Sequence, residues 1–164
     1  MKNKSFMNAA FITRSAAIAA LYVVLTMVFA PISFSEVQVR ISEALTILPL
    51  FTPTAIPGLF IGCLIANILG GCIIWDIIFG SLATLIGAAL GYLLRKNRWL
   101  VPIPAIAANT VIVPLVLRFG YGVNLPMYIL ILSIAAGEII SCYVMGELLG
   151  TVLMKYRKVL FGEE

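Results

Sequence analysis

The chain has no histidine and little charge: 11% of its 164 residues are charged, against 62% hydrophobic. Without histidine it lacks the commonest acid–base side chain and the commonest metal ligand. A soluble domain carries roughly a quarter charged residues, so the scarcity of charge and a mean hydropathy of +1.11 exclude a water-soluble globule. Cysteine is scarce too, at three. Cys63 and Cys72 stand nine apart on one expected helix, roughly 13 Å along its axis, too far for a disulfide. With no histidine and no clustered thiols, no metal site is expected. There is no Walker sequence, no glycine-rich phosphate loop and no Ser/His/Asp set, so neither ATP hydrolysis nor a catalytic residue nor a cofactor is expected. A soluble enzyme, a secreted disulfide scaffold and a nucleic-acid binder are excluded.

What the chain does have is long uncharged runs between small clusters of charge. A bilayer core of about 30 Å needs about 20 helical residues. The first run, between Arg14 and Glu36, forms a helix over about 6–31. The next, from Glu43 to Asp76, is long for one pass and short for two, and it contains Pro49, Pro53 and Pro57. Each proline removes a donor and disfavours helix in the residue before it. The run therefore predicts a short helix at 44–52, a turn, and a helix at 57–73. Further helices are expected at 76–95, 99–118 and 126–155.

Cytoplasmic loops are enriched in Lys and Arg, and charge decides between five passes and six. Six place Lys2, Lys4, Arg14, Arg95, Lys96, Arg98, Lys155, Arg157 and Lys158 on one face, with only Arg40 and Arg118 opposite. Five split the eleven basic residues seven to four. The expectation is an all-α integral membrane protein, one domain over 1–164, a six-transmembrane-helix bundle with both termini cytoplasmic. The basic clusters account for the high pI without nucleic acid. A signal peptide at the start is the weaker reading, because no small-x-small cleavage site precedes Pro31.

Lipid gives helices no hydrophobic drive to associate, so packing rests on small residues four apart. Ser15 with Ala19, Ala16 with Ala20, Gly58 with Gly62, Ala66 with Gly70, Ala83 with Gly87 and Gly91, and Gly146 with Gly150 all have this spacing. They predict a tight internal bundle or, for a flat alanine face, a surface that receives another protein.

Polar groups within a membrane are costly and normally face a cavity or one another. Glu138 falls near the middle of the last helix. It is either a neutral group bonding a neighbouring helix or a carboxylate that accepts paired hydrogen bonds from an edge such as that of guanine. Asn109 and Asn67 offer donor and acceptor together, for a ligand or for helix–helix bonding. Asp76 opens a helix, where a carboxylate favours the positive dipole end, and capping is its first reading. Glu147 is within reach of the interface by snorkelling. Val37–Ser42 alternates apolar and polar, predicting an extended segment with Gln38, Arg40 and Ser42 on one side, a cover over a cavity or an interfacial connector. Arg40 has Glu43 and Glu36 as possible ion-pair partners. Trp75, Tyr121 and Tyr128 read as interfacial belt residues.

Together these features resemble the substrate-binding S components of energy-coupling factor (ECF) transporters. More specifically, the chain is similar to the QueT family, associated with uptake of queuosine precursors. The resemblance rests on Val37-Gln38-Val39-Arg40-Ile41-Ser42-Glu43-Ala44-Leu45 continuing through Leu48-Pro49-Leu50. It rests also on Ala55-Ile56-Pro57-Gly58-Leu59-Phe60-Ile61-Gly62-Cys63 and on Asp76-Ile77-Ile78-Phe79-Gly80-Ser81-Leu82-Ala83-Thr84-Leu85. It covers nearly the whole chain.

The resemblance implies a bacterial multi-pass membrane protein that captures its ligand from outside. It would dock on a membrane T component coupled to two cytoplasmic ATPase subunits, and topple to deliver the ligand inward. Ala16 and Ala20 would lie on the docking face. The implied ligands are 7-deazaguanines: preQ1, preQ0 or queuine. Glu138 would take the guanine-like N–H edge, and Asn109, Asn67 and Arg40 the opposite side. Glu43 and Asp76 would be nearest to an aminomethyl cation, and Gln38 completes the expected set. The alternative is a stand-alone proton-coupled transporter working as a homodimer with Glu138 as proton carrier. An enzyme acting on lipid would need clustered catalytic groups that the sequence lacks.

Overall fold

The computed structural model describes residues 9–33 and 39–161. The described residues contain helices and no strand. They comprise α1 (Ala9–Val28), a single turn α2 (Ala30–Ser33), a 3₁₀ helix (Ile41–Leu50), α3 (Ala55–Leu69) and α4 (Ile74–Leu93). Then come α5 (Ile103–Leu115), α6 (Met127–Glu138), α7 (Gly146–Lys155) and the short α8 (Arg157–Phe161). A π-helical stretch, Val116–Gly120, continues α5, and a second, Ile139–Met145, joins α6 to α7. Four helical runs are long and apolar enough to cross a membrane: Ala9–Val28, Ile74–Leu93, Arg98–Gly120 and Met127–Lys155. Ile41–Leu50 and Ala55–Leu69 are shorter apolar helices. Large hydrophobic side chains such as Val111, Phe119 and Leu132 point outward, as they do when the surrounding medium is hydrocarbon.

The proline-interrupted run breaks where its sequence predicts a turn. The 3₁₀ helix contains Pro49 and stops at Leu50, and α3 starts at Ala55 with Pro57 in its first turn, where a missing N–H costs nothing. Its first half is tighter than an α-helix. The Glu43 N–H bonds to the Arg40 carbonyl at 2.9 Å, and the Thr46 hydroxyl donates to the Glu43 carbonyl at 2.6 Å. Ten 3₁₀ residues at about 2.0 Å each reach about 20 Å, against about 15 Å as an α-helix. Runs this long are uncommon, and this one is held on all sides. Ser42 through Pro49 are buried, and the helix packs on α1, α3, α4, α7 and the second π segment. It is the axis of the bundle.

Helix 3₁₀ formation also limits the extended segment expected at Val37–Ser42. Gln38 lies outside the described residues. Arg40 is extended (φ −98°, ψ 103°), but the helix takes over at Ile41, so Ser42 is helical and its hydroxyl is 2.6 Å from that of Thr26 on α1.

Small residues permit the other close approaches. The inner face of α1, Ser15, Ala19, Tyr22 and Thr26, is buried and lies against α3. A Cβ on Gly62 would stand 2.7 Å from the Tyr22 Cβ, and one on Gly87 would stand 2.6 Å from the Ala105 Cα. Ala16 and Ala20 lie on the other side of α1 and are exposed. The two alanine spacings of α1 thus divide: Ser15 and Ala19 pack inward, while Ala16 and Ala20 face out.

Glu147, expected within reach of the interface, is held in an ion pair. The turn after α4 carries Arg98 back to α7, where its Nη2 is 2.6 Å and its Nε 2.8 Å from the Glu147 Oε2. Arg98 also donates to the Thr151 hydroxyl at 2.8 Å. This ion pair ties the α4–α5 turn to α7.

Candidate functional site

Five polar side chains from five parts of the chain meet in one small chamber. Arg40 enters from the residues just before the 3₁₀ helix, Glu43 from its first turn, Asp76 from the first turn of α4, Asn109 from α5 and Glu138 from the end of α6. Gly80 and Val113 complete the lining. All five polar residues are buried. Arg40, Glu43, Asp76, Asn109 and Glu138 were each singled out from sequence, and the fold brings them together. Asn67, also named, lies fully buried beside this group. Its amide donates to the Asp76 carbonyl at 3.3 Å, and its Oδ1 has no hydrogen-bond partner.

The local reasons are simple. Asp76 sits in a first turn, where the helix dipole favours a carboxylate, yet its side chain reaches sideways rather than back to cap the helix. Its Oδ2 accepts a bond from the Tyr121 hydroxyl at 3.1 Å, and the same hydroxyl accepts from the Ile73 N–H at 3.3 Å. Burial and the Asp76 charge raise the Tyr121 hydroxyl above the ordinary phenol range, so it remains a donor. Gly80, one turn below Asp76, leaves the room: a Cβ there would be 3.1 Å from Asp76 Oδ1 and 3.2 Å from Asn67 Nδ2. Tyr121, expected as a belt residue, therefore has a specific bond to the chamber. Trp75 and Tyr128 are exposed, and Trp75 stacks on Phe79 with centroids 6.0 Å apart.

Glu138 ends α6 where the backbone widens into a π segment. Such segments recur at functional sites. The widening carries Cys142, whose thiol donates to Glu138 Oε2 at 3.1 Å and lies 4.0 Å from Glu43 Oε2. One ligand atom from each of Glu43, Glu138 and Cys142 falls within 4.8 Å of the others. On the opposite side the fully buried Tyr22 donates its hydroxyl to Glu43. Arg40 Nη1 is 3.8 Å from the Cys63 sulfur, and Cys63 also receives the Asn67 amide at 3.7 Å. Tyr22 and Cys142 are not among the residues the sequence singles out, and Cys63 enters there as a rejected disulfide partner. Cys142 carried a usable signal, since four residues after Glu138 is the same helical face. Tyr22 had a weaker one, its place with Ser15 and Thr26 on a polar stripe of an otherwise apolar helix.

The free space among these side chains is about 10 Å³, room for one water at most. A larger groove of about 610 Å³, lined by Trp75, Phe79, Ile112, Leu115, Val116, Phe119 and Gly120, lies along α4 and α5. Its one polar side-chain group is the Trp75 indole N–H, whereas the small chamber has five polar side chains. Chemistry rather than size identifies the candidate site.

A curated protein of Lactococcus lactis subsp. cremoris (strain MG1363), named queuosine precursor transporter QueT, is 43% identical over 82 residues, 48% of this chain and 47% of that protein. The aligned region thus spans about half the length of that relative. No solved structure matches. Residues 12–155 match the family described as QueT transporter, and the chain belongs to that family.

Proposed function

We propose that the chain is the ligand-capture subunit of an energy-coupled importer in a bacterial cell membrane, and that it takes up a 7-deazaguanine precursor of queuosine. The observation that carries this is the convergence of Arg40, Glu43, Asp76, Asn109 and Glu138 on one buried lining in a chain of a transporter family. A guanine-like base presents paired N–H donors on one edge and acceptors on the other. Glu138 accepts the N–H pair, a charge-assisted arrangement. Arg40 and the amide of Asn109 donate to the carbonyl side, and Asn67 supports the wall beside Asp76.

About 10 Å³ is far too little for a bicyclic base. Binding therefore requires the 3₁₀ helix to part from α4 and α6. The 3₁₀ helix and α3 together make the second and third of six passes, with both chain ends in the cytoplasm.

The exposed Ala16 and Ala20 supply a flat face on which a membrane T component, coupled to two ATPases, packs closely. Their position opposite the buried face of α1 supports this reading, because among the described residues no helix covers them.

The test is purification of the chain from cells that make 7-deazaguanines, followed by mass spectrometry of what it carries. A 7-deazaguanine retained without ATP supports the reading, and its absence after direct incubation with preQ1, preQ0 and queuine contradicts it. Uptake that survives loss of the ATPases but stops with an uncoupler would establish instead the stand-alone proton-coupled transporter. The adjoining carboxylates of Glu43 and Glu138 are the observation that favours that second reading.

A further inference from the structure

We propose that the end of the bundle formed by the α4–α5 turn and the α7–α8 junction binds the headgroups of anionic phospholipids. Two basic clusters lie there: Arg95 and Lys96 just after α4, and Lys155, Arg157 and Lys158 at the end of α7 and in α8. All five side chains are exposed. Arg98 joins the two clusters. Its guanidinium reaches the Glu147 carboxylate at 2.6 Å, the Thr151 hydroxyl at 2.8 Å and the Met154 sulfur at 3.4 Å. Arg98 and Met154 are 56 positions apart, and Met154 directly precedes Lys155, so the fold holds the clusters side by side.

No described carboxylate neutralises these five cations. The acidic residues among those described are Glu43, Asp76 and Glu138, which line the chamber, and Glu147, which pairs with Arg98. Glu163 and Glu164 follow in the sequence, outside the described residues, and even against both the five cations are in excess. Aromatic rings lie among them: Arg95 stands 4.2 Å over Tyr92, Arg98 4.7 Å over Trp99 and Lys155 6.0 Å over Tyr156. A ring meets the flat face of a guanidinium and leaves the N–H donors at its edge for paired bonds to phosphate oxygens. The same end exposes Leu93, Trp99, Tyr156, Val159 and Leu160. Aliphatic side chains, rings and cations at one helix end match the acyl chain, interfacial region and phosphate of a lipid. An acidic protein surface would satisfy the cations but leave Leu93 and Val159 without an apolar neighbour. The occupant that fits all three kinds of side chain is the anionic lipid.

The test is native mass spectrometry of the purified full chain in detergent, titrated with equal amounts of phosphatidylglycerol and phosphatidylcholine of identical acyl chains. A basic side chain near an anionic surface contributes about fivefold in affinity. Five of them, partly screened, are expected to favour phosphatidylglycerol by at least about tenfold. The combined variant Arg95→Gln, Lys96→Gln, Lys155→Gln, Arg157→Gln and Lys158→Gln is expected to bring the ratio to within about twofold of one. Equal retention of the two lipids by the parent chain overturns the inference. A preference that the variant keeps in full overturns the assignment to this surface. If the parent shows no preference and the variant instead loses co-purification with a cytoplasmic protein, the surface receives an acidic protein and the lipid inference falls. Should the variant not fold, salt decides on the parent chain: a preference that fades toward one between about 50 and 500 mM supports the inference, and a salt-independent preference overturns it. None of these outcomes bears on the ligand of the chamber.

Discussion

The hydroxyl of Tyr22 donates to the carboxylate of Glu43, and both groups are buried. This bond joins the inner face of α1 to the wall of the chamber. A few Å along, the hydroxyls of Thr26 and Ser42 make a second link of 2.6 Å between the same two elements. The helix with the exposed Ala16 and Ala20 is therefore bonded directly to a residue of the candidate site.

Tyr22→Phe keeps the Cβ that lies against Gly62 and the ring, and removes only the donor. Leaving a buried carboxylate oxygen short of a partner costs about 1–3 kcal/mol. Thermal unfolding in detergent should show that loss, and affinity for a retained ligand should fall by about tenfold because Glu43 is no longer held. Unchanged affinity would mean that Glu43 is positioned without Tyr22.

Gly62→Leu should destabilise the fold. Even a Cβ would stand 2.7 Å from the Tyr22 Cβ and 3.1 Å from the Ala19 backbone, and overpacking of this kind costs about 1–3 kcal/mol. Unfolding temperature is the measure. An exposed control such as Leu132→Ala should change it little.

The Arg98–Glu147 pair should be worth more as a pair than either residue alone. Glu147→Gln leaves the Arg98 guanidinium without its carboxylate, at a cost of about 3 kcal/mol. That is the lower end for a buried pair, because the Arg98 side chain is 23% exposed. The double variant Arg98→Met with Glu147→Gln should recover part of the loss. A purely additive double variant would show that the two charges do not stabilise each other.

Ala16→Leu should leave the isolated chain as stable as the parent, within about 0.5 kcal/mol for an exposed site, and should abolish its assembly with a T component. Co-purification together with thermal unfolding separates the two effects. A variant that still assembles and transports would place the docking face elsewhere on the surface.

What could be read without the fold is what depends on neighbouring residues alone. Helix positions follow from local hydropathy and from the charges that end each run, and Pro49, Pro53 and Pro57 mark the break between the 3₁₀ helix and α3. Arg40, Glu43, Asp76, Asn109 and Glu138 are recognisable because a polar group in an apolar run is costly wherever it sits, whatever it touches. Family membership, too, is a property of the linear pattern. The tertiary structure alone decided which of these groups meet. Glu43 and Cys142 are 99 positions apart, and Asp76 and Tyr121 are 45 apart; no periodicity spans such separations. It also turned Ala16 outward and Ser15 inward on the same helix, gave Glu147 its ion-pair partner Arg98, and drew the polar lining into a space of about 10 Å³. Those outcomes depend on how closely whole helices pack, and that is set by side chains contributed from every part of the chain at once.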